Sequence, residues 1–97
     1  MEPTDLIGDF IIPETIEGYP VFSIGNGAFQ GCSEITSIFL PNTIAYIGDY
    51  AFNGCIGLSM INIPNLVQSI GECAFRECAF IDINIPESVI FIGDAAF

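Results

Sequence analysis

Apolar residues return along this chain in two alternating patterns. In ITSIFL (35–40), LSMINI (58–63) and FIDINI (80–85) the first, fourth and sixth positions are apolar, the last two standing two apart. A period of two predicts a short strand with one face turned inward. Pro41, Pro64 and Pro86 then close each segment, because proline has no N–H for a continuing ladder. FIIP (10–13) supplies the same element at the start of the chain. Beyond the prolines, TIAYIG (43–48), LVQSIG (66–71) and SVIFIG (88–93) space apolar residues three apart, which predicts a second inward-facing edge.

The two patterns alternate because the chain repeats. IGNGAF, IGDYAF, IGECAF and IGDAAF begin at residues 24, 47, 70 and 92, at intervals of 23, 23 and 22. The first three copies reach a cysteine three residues after their Phe, at Cys32, Cys55 and Cys78. A one-residue deletion between Cys78 and Phe80 accounts for the shorter last interval. The next Ile-Gly begins six positions after each of the last three prolines but eleven after Pro13, so an extra stretch around EGYPV lies in the first repeat. Units of this size cannot bury an apolar face alone, so stacked units must share one core. Equivalent strand residues should then lie about 4.8 Å apart, with Phe29, Phe52, Phe75 and Phe97 as an inner aromatic spine. Asn26, Asp49 and Asp94 follow the Ile-Gly pairs and suit the cap of one short turn of helix or 3₁₀ helix; Glu72 takes that place in the third copy.

The run IGxxAFxxC, followed by apolar-x-apolar-Pro and a further Ile-Gly, resembles the BspA-type leucine-rich repeat of bacterial and protozoan surface proteins. The resemblance covers essentially all 97 residues. It implies a repeat solenoid of the leucine-rich repeat, α/β class with little helix, made of about four rungs. A parallel β-sheet would line the concave side and short helical or 3₁₀ turns the convex side. The whole chain, 1–97, reads as one such domain, with rungs at approximately 5–31, 32–54, 55–77 and 78–97. Stopping at Phe97 inside a repeat, without a polar cap, implies an excerpt of a longer chain or end-to-end packing. The resemblance also implies adhesion, host matrix or cell-surface proteins as partners, and a place at the cell surface or outside the cell. The chain itself does not fix a compartment: its start, MEPTDLIGDF, has no basic segment and no long apolar stretch, so it does not read as a signal peptide.

Composition narrows the chemistry. The chain is 52% hydrophobic and 13% charged, with twelve acidic residues against one basic residue, Arg76, and a net charge of −11. Such a surface cannot neutralise phosphates, which argues against nucleic acid, and it is not drawn to anionic membranes. Pro, Gly, Asn or Asp interrupts every apolar run well short of the ~18 residues of a membrane span, so no membrane insertion is expected. The absence of His and Lys removes Ser–His and Cys–His nucleophiles, His-ligated metals and lysine-based sites. No catalytic, cofactor or metal residues are assigned, no cofactor is expected, and the protein reads as a non-enzyme.

Three groupings remain. Cys32, Cys55 and Cys78 share one repeat position and read as small buried residues behind the Phe spine. Cys73, at a position that varies between copies, is expected to be the most reactive thiol. The column of Asn26, Asp49, Glu72 and Asp94 offers capping or, less simply, a calcium ladder, for which the oxygen count falls short. Last, the outward strand positions are Asp9, Ile11, Ser37, Phe39, Met60, Asn62, Asp82 and Asn84. Ile11, Phe39 and Met60 would be exposed apolar residues on one sheet, where folding does not require them. These eight residues are the expected protein-binding surface. Phe22, Tyr46 and Phe91 face outward on the second edge, as convex-side packing or assembly contacts. The function expected is protein–protein interaction through the concave sheet. The alternative is a structural unit that self-associates through its exposed repeat ends.

Overall fold

A computed structural model of the chain describes residues 7–97. They form nine short strands: β1 (Gly8–Ile11), β2 (Thr15–Ile16), β3 (Tyr19–Pro20), β4 (Ser23–Ile24), β5 (Ile35–Phe39), β6 (Tyr46–Ile47), β7 (Met60–Ile61), β8 (Ser69–Ile70) and β9 (Phe91–Ile92). β1, β5 and β7 pair in parallel as one sheet, and β4, β6, β8 and β9 as another. The chain therefore winds as a solenoid of about four turns, the first three contributing to both sheets and the last to the second sheet alone. The residues three apart expected on a second edge turn inward as Ile44 with Ile47 and Val67 with Ile70, all buried. Their flanks pair with the neighbouring rung, so the edge is itself a parallel sheet. The extra stretch after Pro13 is an antiparallel hairpin, β2–β3, whose tip residues Glu17 and Gly18 both take positive φ, 52° and 84°, the demand of a two-residue type I′ turn.

The core is the expected one. Ile35, Ile38 and Leu40 of one rung meet Leu58 and Ile63 of the next, all buried. The Phe spine is continuous: Phe29, Phe52 and Phe75 stack with centroids 5.3 and 5.2 Å apart and planes within 3° of parallel, and Phe97 follows at 5.2 Å. Phe10 closes the other end, tilted against Phe29 at 5.9 Å. Offset parallel rings at this spacing add to what burial alone contributes.

Two expectations fail. The IGxxAF turns hold no helix or 3₁₀ helix among the described residues. Amide groups alternate instead: Ala51, Asn53 and Cys55 donate back within their own turn, to the carbonyls of Gly48, Tyr50 and Phe52. Between them Tyr50, Phe52 and Gly54 donate to Glu72, Ala74 and Arg76 of the next rung. A helix would keep all of these bonds within one segment. The alternation is enforced by left-handed backbone at Gly27, Tyr50, Cys73 and Ala95, and again at Gly31, Gly54 and Glu77. Asn26 and Asp49 consequently do not cap their own turns. The side-chain oxygen of Asn26 accepts the Asp49 N–H at 2.8 Å, and that of Asp49 accepts the Glu72 N–H at 2.9 Å. Asn26 and Asp49 thus form a ladder between rungs, one side-chain oxygen of each being held by a backbone N–H of the next rung.

The second failure is the strand expected within 80–85. Residues 81–85 form no strand, and Ile81 lies fully in solvent. The deletion after Cys78 leaves too little chain to set Asp82–Ile85 beside β7, although the Ala79 N–H still reaches the Leu58 carbonyl at 2.8 Å. Ile92 and Phe97, inward residues of the last described rung, are about half exposed, whereas their counterparts Ile70 and Phe75, each with a rung on both sides, are buried. No helix among the described residues is long and apolar enough to cross a membrane.

Candidate protein-interaction surface

The face opposite the core on the first sheet is built by register. Asp9 pairs with Ser37 and Ser37 with Met60, forming one row across β1, β5 and β7. Ile11 pairs with Phe39 in the adjacent row, which Asn62 continues just past the end of β7. All but Ile11 of the eight expected residues line one open groove of about 780 Å³ along this face. Ile11 stands beside it, next to Phe39. Ile11, Phe39 and Met60 are 73%, 62% and 68% exposed, so the apolar stripe stands in water.

The polar members differ in availability. Ser37 Oγ donates to Asp9 Oδ1 at 2.6 Å, which fixes that carboxylate at the groove's start and leaves its second oxygen outward. The Asn62 amide is engaged: its Oδ1 accepts the Leu40 N–H at 2.7 Å and its Nδ2 donates to the Leu40 carbonyl at 3.0 Å. Asn62 therefore takes over the pairing of β5 where β7 ends. Asp82 and Asn84 line the far side of the groove from the segment that leaves the sheet.

Thr36 and Ser59 also line the groove and escaped the sequence reading. The register slips between Gly8 and Asp9, so that Gly8 faces Ile35 while Asp9 faces Ser37 and Thr36 is the extra residue. The gap of three between Ile35 and Ile38, where strict alternation needs two, is the signal of this bulge. On the second sheet Tyr46 and Phe91 face outward in one column with Ser23 and Ser69. Phe22 precedes that column by one residue, its carbonyl accepting the Ala45 N–H, and it too is exposed.

The cysteines lie behind the spine as free thiols. Cys55 Sγ donates to the Phe29 carbonyl at 3.1 Å and Cys78 Sγ to that of Phe52 at 3.2 Å, the same contact one rung on. Cys73, expected to be the most reactive thiol, is 5% exposed and lies against Tyr50, while Cys78 is the least covered of the four. Burial, helped by the neighbouring thiol, pushes Cys55 up to about 11 and Cys78 up to about 12 from the ordinary 9.0. The folded state thus favours the protonated, neutral thiols. Their contribution is complete below pH 9.0 and falls as the unfolded chain ionises first, between pH 9.0 and about 12. Urea midpoints should therefore fall across this window, and the slope should be shallower in the Cys55→Ala, Cys78→Ala double variant. A slope identical in the two proteins would refute the assignment.

Comparison with known proteins follows the same architecture. A family model described as BspA type Leucine rich repeat region (6 copies) matches residues 22–97. Among solved structures, a T. pallidum leucine rich repeat protein is similar with a TM-score of 0.77 and 27% identity, over 92% of this chain and 53% of that one. A leucine-rich repeat protein from Bacteroides ovatus is similar with a TM-score of 0.72 and 38% identity, over 92% of this chain and 30% of that one. A leucine rich cell surface protein from Faecalibacterium prausnitzii, at 18% identity and a TM-score of 0.51, shares the fold. The chain thus spans about half of the first of these proteins and less than a third of the second. No curated protein matches the chain in sequence.

Proposed function

The chain belongs to the BspA-type leucine-rich repeat family, and from that premise we propose that it is a non-enzymatic module that binds another protein through the concave sheet. Ile11, Phe39 and Met60 are the anchors, and adhesion at the cell surface or outside the cell is the setting. The observation that carries this reading is the exposure of these three side chains on outward strand positions. The solenoid's stability comes from the inward residues, so nothing in folding requires large apolar groups there. Well-packed apolar anchors dominate protein interfaces, whereas surrounding polar contacts contribute little. Phe39→Ser with Met60→Ser should weaken binding of a purified protein partner by tenfold or more, about 1.4 kcal/mol. Tyr46→Ser on the other sheet should leave binding unchanged. Equal affinity of the double variant and the parent chain would sink the concave-face reading.

A second reading has its own observation, the half-exposed Ile92 and Phe97 of the last rung. Within residues 7–97 no further rung covers these inward side chains, and copies stacking end to end would bury them. Light scattering over a concentration series decides this point: a strict monomer at high concentration eliminates assembly.

A further inference from the structure

We propose that the concave face selects a basic partner: a protein segment with an apolar anchor flanked by lysines or arginines about four residues apart. This inference rests on the concave-face reading and adds the partner's chemistry to it.

The groove is acidic at both ends and carries no basic group. Asp9 stands at the β1 end and Asp82 at the other, both exposed, with Phe39 and Met60 between them. Arg76, the sole basic residue of the chain, lies in the third turn and does not line the groove. Among the described residues no basic side chain lines this face to pair the two carboxylates, and the Ser37 hydroxyl holds only one oxygen of Asp9. The remainder of the chain brings the net charge to −11, so the field over the groove is negative throughout. A partner with its own carboxylates would be repelled on approach, and a basic one drawn in, with rates that fall as salt rises.

Geometry sets the spacing. Asp9 and Met60 stand two paired intervals apart across β1, β5 and β7, about 10 Å at ~4.8 Å per interval. Asp82 lines the groove beyond β7, from the segment that leaves the sheet. An extended segment of about four residues, at ~3.3 Å each, crosses the three strands and reaches the Asp82 side. Its cations would meet Asp9 and Asp82 while a central apolar side chain rests on Phe39 and Met60. The apolar contact supplies residence time, and the flanking charges supply selectivity and approach rate.

Short synthetic peptides test this by fluorescence anisotropy. One carries Lys-x-Phe-x-Lys, a second Glu-x-Phe-x-Glu and a third Lys-x-Ser-x-Lys. At low salt the first should bind at least tenfold more tightly than either of the others. The Asp9→Asn, Asp82→Asn double variant should lose about tenfold for the first peptide and show a flatter salt dependence. Circular dichroism identical to the parent's confirms that these exposed substitutions leave the fold in place. If both Phe peptides bind equally and both are lost with Phe39→Ser and Met60→Ser, the concave face stands and the charge selection is overturned. Binding of the first peptide that ignores Phe39→Ser and Met60→Ser overturns both. Failure of the first peptide to bind, or its indifference to Asp9→Asn with Asp82→Asn, overturns the proposal.

Discussion

Gly71→Ala is expected to cost roughly 3 kcal/mol, the upper end of what overpacking does, although it adds a single methyl group. Gly71 is the second residue of the third Ile-Gly pair, and its Cα faces the backbone of the rung before it. A Cβ there would stand 2.6 Å from both the Asp49 nitrogen and the Gly48 carbonyl carbon, and 2.5 Å from Asp49 Oδ1. These atoms cannot rotate away, since the Asp49 oxygen is held by the Glu72 N–H and the Gly71 N–H is held by the Ile47 carbonyl. The rungs would have to separate, which breaks the hydrogen bonds between turns and the stacking of the Phe spine together. Gly25 is the control. It occupies the same motif position in the first copy, yet an added Cβ would meet nothing within 4 Å. Gly25→Ala should change stability by less than about 0.5 kcal/mol. Urea unfolding followed by circular dichroism compares the two directly, and equal midpoints would refute the close-stacking account.

Phe52→Ala is expected to be as damaging or more so, at about 3–5 kcal/mol, against a total of roughly 5–15 kcal/mol for a domain of this kind. Phe52 is fully buried and is sandwiched between Phe29 and Phe75 with nearly parallel planes on both sides. Its backbone is pinned across rungs by the bond from its N–H to the Ala74 carbonyl, so the rings cannot close the gap. Stability in a stacked-repeat protein is carried by interfaces between neighbouring units, and this ring belongs to two of them. Phe97→Ala at the half-exposed end of the spine should cost distinctly less. A chain that unfolds at the same urea concentration after Phe52→Ala would show that the spine is not the core.

Much of this was legible in the sequence. The repeat interval, the strands ahead of Pro13, Pro41 and Pro64, the inward Ile35, Ile38 and Leu40, the Phe spine and the shared position of Cys32, Cys55 and Cys78 all follow from periodicity. The candidate face follows too, since outward residues are those left when inward ones are assigned. Other features carried no residue-level signal. The left-handed position in each turn holds Gly27, Tyr50, Cys73 and Ala95, four types with nothing in common but their φ. It therefore read as merely variable, and the turn was expected to be helical. Nor does a variable position tell where its side chain lies: Cys73, expected to be the most reactive thiol, is buried.

Sequence by itself determined which residues are equivalent; the tertiary structure decided which of them touch. Equivalence is a matter of spacing, and the intervals of 23, 23 and 22 state it openly. Contact depends on where each donor's partner lies, and here many of the decisive partners sit about one repeat away. Asp49 accepts from Glu72, Asn62 brackets Leu40 and Tyr50 donates to the Glu72 carbonyl. These bonds turned an expected helix into a ladder of turns, turned an expected edge into a second sheet and withdrew Asn62 from the free surface. The missing residue after Cys78 was visible in the sequence, but its consequence was not. Only the folded chain shows that one residue too few releases Asp82 and Asn84 from the sheet while leaving them on the rim of the same groove.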